Sequence, residues 1–404
     1  MHRVELELTT VTPAFIGTSD SHIAEWTAKG VRGHLRWWLR AILGGELRGD
    51  AGQVRKREQA LFGCNESRSA VRIMVRPVGH GGSDDVADGN TLDENELAKA
   101  WGATNPAVRA RLRLRLGASN PIAYLGYGPI GYRREKKATV YERGRILPDQ
   151  RLKLLLQWSE QLSGNPLDDL RKALWCWLHL GGIGGRSRRG FGSLFCSAIR
   201  TVRGEEPLVA LTQSLDQFEG ACGKYLELAT GASATAEWSH FTTGTRVFIS
   251  TSGYQTWQGA LTAAGAWLIA FRRRYGLGSD EREAKRNRDY VWLNSPAPAG
   301  GIPDRAGFGL PLPFGKTADL VAAWRERGQK ENRRRASPLL IHVSRFEKQY
   351  YVVLTHMPAL LVPAGSEIHF NGQHMAPTAE QKGIIGELLS DLEGKEKSRI
   401  RRVL

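Results

Sequence analysis

Three arginines sit in a thirteen-residue run, Leu180 to Gly192, that also holds six glycines. Arg186, Arg188 and Arg189 carry planar guanidinium groups whose donors match phosphate oxygens. Gly184 and Gly185 beside them allow positive φ and a close backbone approach to a ligand. Successive N–H groups in such a loop can form a concave anion nest, which the Ser187 hydroxyl would assist. The chemistry is that of gripping a polyanion backbone. No Gly-Lys-Ser/Thr ends the run, so it is not a Walker-type nucleotide loop. The plainer alternative is a helix C-cap at Gly181 or Gly182 followed by a solvated basic turn. Capping accounts for one or two of the glycines, not six.

A second basic set is Arg32, Arg36 and Arg40, spaced by four, which places them on one helix face. No acidic residue occurs between Lys29 and Gly45. That absence predicts no internal pairing and an external anion instead. Trp37 lies beside this stripe and either stacks on a base or packs internally. Lys136 and Lys137, in a basic loop or hairpin, could clamp a strand. Arg334 and Arg335, preceded by Arg333, could form a further basic surface for RNA or for a neighbouring subunit. His34 invites a comparison with general-base chemistry, which needs a positioned partner for the leaving group. No Tyr or second His stands near it in sequence, so a hydrogen-bonding role is expected. The ten histidines are scattered and no nucleotide or metal motif is present, so no cofactor is implied.

These residues need elements to hold them. Val4, Leu6 and Leu8 alternate with polar residues as a half-buried strand. Arg32 to Leu43 reads as a helix whose apolar arc is Leu35, Trp38, Leu39 and Ile42. Val71, Ile73 and Val75 mark a second strand. His80 to Glu96 reads as an insertion, and Arg111, Arg113 and Arg115 as an arginine-faced ribbon. Leu152, Leu154, Leu156 and Trp158 mark a third strand. Asn165-Pro166 opens a second helix, with asparagine as N-cap. After the glycine-rich run, alternation from Phe191 to Ile199 gives a fourth strand. The order β-α-β-β-α-β is the ferredoxin-like arrangement, which also underlies RNA-recognition modules. Later in the chain, strands are predicted near 246–251, 339–344 and 350–355, with helices over 257–275 and 378–393. The expected architecture is α+β: two ferredoxin-like domains with insertions, residues 1–204 and 205–404.

The chain has 404 residues, enough for two domains, and a formal net charge of +16. Such an excess points to a polyanionic partner. Twelve tryptophans accompany it, and arginine with aromatics favours base stacking as well as phosphate pairing. Cys64, Cys176, Cys196 and Cys222 form no Cys-x-x-Cys pair, which fits free thiols in a reducing cytoplasm. The longest apolar stretch, Ala260 to Phe271, is too short to span a bilayer. No signal peptide is expected, and no membrane partner.

The run Gly181–Ser193 resembles the glycine-rich loop of the RAMP superfamily of CRISPR RNA-binding proteins. Thr12-Pro13-Ala14-Phe15-Ile16-Gly17 and Val31-Arg32-Gly33-His34-Leu35-Arg36-Trp37-Trp38-Leu39-Arg40-Ala41 resemble the opening of the first Cmr subunits of type III-B effector complexes. Gly307-Phe308-Gly309-Leu310-Pro311 and Arg334-Arg335-Ala336-Ser337-Pro338-Leu339 resemble the same family. The resemblance implies a non-catalytic subunit of a multisubunit ribonucleoprotein in antiviral defence. It would contact the 3′ part of a guide RNA, a complementary target RNA, and other Cmr subunits. Base pairing would supply sequence specificity while the protein reads backbone and shape. The alternative is a metal-independent endoribonuclease of guide precursors using His34 or His2. A third reading is a basic assembly protein that only brushes RNA.

Overall fold

The computed structural model describes residues 1–78, 83–84, 120–133, 135, 138–160, 162–203, 208–226, 236–272, 304–310, 312–313, 321–326, 333–363, 366–370, 373–375, 383–394 and 398–404. The ribbon at Arg111, Arg113 and Arg115, most of the 80–96 insertion, and Lys136 and Lys137 lie outside the described residues.

Strand β1 is His2–Thr10 and is followed by helix α1, Ala28–Glu46. The Thr27 side chain caps α1 by accepting the Gly30 N–H at 3.0 Å. Helix α2, Ala51–Phe62, capped by Asp50, was not foreseen, and strand β2, Val71–Val78, follows. A short helix α3, Pro121–Leu125, precedes the hairpin of β3, Ile130–Arg133, and β4, Ala138–Tyr141. Strand β5 is Arg151–Trp158, helix α4 is Asn165–Leu180 and strand β6 is Leu194–Arg203. The start of α4 differs by one residue from the sequence reading. Gly164 at φ 61° is the N-cap and Asn165 is already helical. Glycine alone takes that φ without strain, so it displaces the asparagine from the cap.

The second half repeats the pattern. Helix α5, Leu215–Tyr225, leads to strand β7, Arg246–Ser250, and helix α6, Trp257–Arg272. Strands β8, Leu339–Phe346, and β9, Gln349–His356, form a hairpin. Helix α7, Ile384–Glu393, and strand β10, Ile400–Arg402, complete the unit. A separate small sheet is built from 312–313, 321–326, 366–370 and 373–375, two segments on each side of that hairpin.

The first sheet runs β2-β5-β1-β6 and the second β8-β9-β7-β10, with every neighbour antiparallel. Both have the spatial order second-third-first-fourth. The register sets Leu6 opposite Leu154 and Leu8 opposite Leu152. These alternating side chains turn toward α1 and α4. Val31, Leu35, Trp38 and Leu39 of α1 are wholly buried. Each such side chain contributes about 1.5–3 kcal/mol by leaving water. The two cores do not respect the middle of the chain. One gathers Val247, Leu340 and Val353 with β1 and α1; the other gathers Phe15, Ile122 and Phe191 with α6 and α7. The halves therefore meet along a packed seam, and residues 181–193 run through it.

Candidate nucleic-acid interface

The glycine-rich loop connects α4 to β6 and is fastened on three sides. Pro13 and Phe15 carbonyls accept the Gly192 and Gly185 N–H groups at 2.8 Å each. The Thr12 hydroxyl donates to Gly190 O at 2.8 Å and accepts the Ser193 N–H at 3.0 Å. From the second half, Ile341 donates its N–H to Arg188 O at 3.0 Å. Val343 donates to the Ser193 hydroxyl at 3.1 Å, and His342 Nδ1 meets Gly181 O.

This packing supplies a reason for the glycines that neither capping nor an anion nest does. Gly184, Gly190 and Gly192 have φ of 82°, 84° and 66°. A Cβ on Gly192 would lie 1.9 Å from Ile183 O, and one on Gly184 would lie 2.5 Å from Phe15 O. Gly181 abuts the Trp38 ring in the same way. The expected nest is only partial. The N–H groups of Ile183, Gly184, Gly185, Arg189, Gly192 and Ser193 are engaged internally. Those of Arg186, Ser187 and Arg188 stand outside this network.

Between α1 and the loop lies a cleft of about 310 Å³. Its walls include Gly33, His34, Trp37 and Arg40 from α1, Ser187 and Arg188 from the loop, and Leu340 from β8. Residues 150 positions apart in sequence thus face one another. The Arg188 guanidinium lies 4.7 Å from the Trp37 ring centroid, a cation–π contact that fixes its direction. Trp37 also packs edge-on against Trp38 at 4.8 Å. One face of Trp37 therefore carries Arg188.

His34 Nε2 accepts the Gly184 N–H at 3.0 Å, so the ring proton sits on Nδ1. Burial, with Arg188 nearby, pushes its pKa down to about 4. The imidazole is a neutral clasp between α1 and the loop. The hydrogen-bonding role expected for it is what the geometry provides.

The electrostatics of the loop are uneven. Burial, with a smaller contribution from the Arg335 charge, lowers Arg188 from the usual guanidinium range, and its Nη1 is buried without a partner among the described residues. Burial pushes Arg189 down to about 10, with Arg272, Arg186 and Arg188 adding repulsion. Arg186 at φ 60° donates to the Tyr127 carbonyl, and Arg334 and Arg143 reinforce the lowering that burial gives it. Desolvated, mutually repelling cations are costly unless an anion joins them.

The arginine stripe on α1 corrects the sequence reading. Arg36 Nε binds Glu58, and Arg40 Nη1 lies 3.5 Å from the same carboxylate. Glu58 is buried on α2. The expectation of no internal pairing failed because the acid comes from a separate helix rather than from between the arginines. A signal for it existed: Val54, Glu58, Leu61 and Phe62 share one arc, and an acid on an apolar arc requires a cation. Arg32 Nε is buried without a partner among the described residues. Arg335 donates to Leu360 O at 2.8 Å and pairs with Leu310 through two backbone bonds of 2.8 Å. The two second-half motifs, around Leu310 and Arg335, are thus one structural unit. Leu340, Ile341 and His342 were missed, because the contact between halves leaves no periodic mark in sequence.

Residues 7–195 match the model of the RAMP superfamily. The CRISPR system Cmr subunit Cmr1-2 of Pyrococcus furiosus is 27% identical over 204 residues, 50% of this chain and 98% of that protein. The subunit Cmr1-1 of the same organism is 25% identical over 205 residues, 50% of this chain and 50% of that protein. The crystal structure of apo Cmr1 from Pyrococcus furiosus aligns with a TM-score of 0.53 at 17% identity, covering 100% of this chain and 99% of that one. That likeness extends the shared fold beyond the segment matched in sequence.

Proposed function

We propose, on the footing that residues 7–195 match the model of the RAMP superfamily, that this chain is a non-catalytic RNA-binding subunit of a type III-B CRISPR effector. The observation that carries this reading is the cleft itself, which has the Trp37-oriented Arg188 and Ser187 in its wall. The kinship with Cmr1 subunits supports the assembly. The net charge of +16 supports a polyanionic ligand.

In this reading a single RNA strand, the 3′ part of the guide or the target, runs along the cleft. Arg186 and Arg188 pair with phosphates, and the Ser187 hydroxyl and the N–H groups of 186–188 assist. Arg189 backs the loop from the buried side. Arg32, Arg36 and Arg40 give a positive flank, with Glu58 tempering it. Trp37 orients Arg188 instead of stacking on a base. Lys136 and Lys137, which lie outside the described residues, are kept as RNA contacts on the sequence alone. Each half is taken as a ferredoxin-like unit, a view supported by the second-third-first-fourth strand order in both sheets. The absence of a catalytic role is supported by His34, whose Nε2 is already engaged.

The test is affinity of the intact chain for single-stranded RNA across a salt series, with and without Arg186→Ala and Arg188→Ala together. Each phosphate contact on a single strand contributes a slope of about 0.7 in log affinity against log salt. The double variant is expected to bind more weakly and to lose about 1.4 of slope. Unchanged affinity and slope would remove the cleft from RNA binding.

A further inference from the structure

Among the described residues, the large hydrophobics left exposed include two aromatic rings, Tyr127 at 75% and Tyr132 at 63%. Both belong to the segment that leads from α3 into the β3–β4 hairpin. Tyr132 neighbours Arg133, whose guanidinium is already committed, its Nε donating to Glu142 at 2.9 Å. Tyr127 stands against a different cation. Arg186 Nη2 donates to the Tyr127 carbonyl, and a Cβ on Gly128 would lie 3.3 Å from that same Nη2. Arg186 is itself exposed and makes no ion pair with a carboxylate among the described residues. A guanidinium carries several N–H donors, so one bond to a carbonyl leaves the rest for an anion.

The contact is built on left-handed backbone from both sides, with φ of 60° at Arg186 and 103° at Gly128. Glycine takes such an angle freely, whereas arginine pays for it, and strain of this kind gathers at binding positions. The turn beneath the ring is rigid. Ile130 N–H donates to Gly126 O at 2.9 Å, and Glu142 N–H donates to Pro129 O at 2.8 Å. Ile122, Leu125 and Ile130 share a core with Phe191 of the glycine-rich loop, and a Cβ on Gly126 would lie 3.0 Å from the Phe191 ring. The turn and the arginine loop therefore stand on one foundation, and the Tyr127 ring is left in solvent. An aromatic face beside a cation answers the two parts of a nucleotide, its base and its phosphate.

Resting on the RNA reading above, we propose that Tyr127 is a base-stacking residue. One nucleotide of a single-stranded RNA lays its base on the Tyr127 ring while an adjoining phosphate pairs with Arg186. The seat tolerates any sequence, because every base has a π face. The Tyr127 carbonyl, not its ring, holds Arg186, so removing the ring leaves the phosphate contact in place.

The experiment uses the intact chain and two fluorescein-labelled strands of equal length, one polyuridine and one with the same backbone but no bases. Affinity is measured across a salt series for wild type, Tyr127→Ala, Tyr127→Phe and Arg186→Ala. Tyr127→Ala is expected to melt with the wild type, as surface substitutions do. It should bind polyuridine about tenfold more weakly and the abasic strand as the wild type does. Its salt slope should be unchanged, while Arg186→Ala loses about 0.7 of slope on both strands. Tyr127→Phe, which keeps the stacking face, should bind as the wild type does. If Arg186→Ala weakens binding but Tyr127→Ala does not, or if Tyr127→Ala weakens both strands alike, the stacking seat is wrong while the RNA reading stands. The same holds if Tyr127→Phe binds as weakly as Tyr127→Ala. If the wild type binds neither strand, the RNA reading falls and takes the seat with it.

Discussion

His34, His179, His342 and His356 are four imidazoles that this fold keeps uncharged. Burial is the main cause for each, pushing them down to about 4, 3, 4 and 4. The sign of the consequence is fixed. A histidine whose folded pKa is depressed binds its proton better when unfolded, so stability is full above about 6.5 and falls as pH drops through the folded values. The melting temperature is expected to be flat from pH 8 to about 6.5 and to fall steeply toward pH 4. His179→Phe, a residue packed against Trp175 and Phe218, should flatten part of that fall, and a pH series of thermal melts reads it directly. An unchanged slope in the variant would mean that His179 is charged in the folded state. The arginines at this scale were legible from residue type alone. Their environment was not, because desolvation is set by Trp37, Ile341 and other residues far away in sequence.

At the scale of elements, α1 is the wall of the cleft and α2 is what sets its cations. The buried Glu58 carboxylate holds Arg36 and Arg40 together. Glu46, Arg57, Asp169 and Lys172 make a second bridge between α1, α2 and α4, with Arg57 to Asp169 at 3.0 and 2.5 Å. Glu58→Gln is expected to cost about 1–2 kcal/mol, since a hydrogen bond to a charged group is weakened while both arginines keep access to water. RNA affinity should rise, because Arg40 at the cleft loses its neutralising partner. Parallel melting and RNA titration check both signs; weaker RNA binding by a stably folded variant would mean that Glu58 positions the arginines for the ligand. The strands and helices read from alternation and apolar arcs mostly appear where expected, at β1, β5, α1, α4, β8 and β9. Helix α2 was overlooked because its apolar arc is interrupted by Glu58 itself. The asparagine cap of α4 was misplaced by one residue because Gly164 meets the unusual φ.

Across the whole molecule, two sheets of one strand order are joined by a seam that carries the loop. The strand order in each half follows from the alternation of helices and strands along the chain. The seam does not, because packing between halves depends on surfaces that no local period reveals. The glycine count illustrates the difference. It was legible as a demand for close approach, yet the approaching groups are largely Phe15, Ile183, Trp38 and Leu261 of this chain. What remains for a ligand is the short segment 186–188 and the cleft it borders.

The most direct test of the central claim is ultraviolet crosslinking of RNA to this chain in its native assembly, with the linked peptides read by mass spectrometry. Crosslinks are expected at peptides spanning Gly181–Ser193 and at the α1 peptide containing His34 and Trp37. RNA that is bound by the assembly but crosslinked to neither peptide would contradict the account.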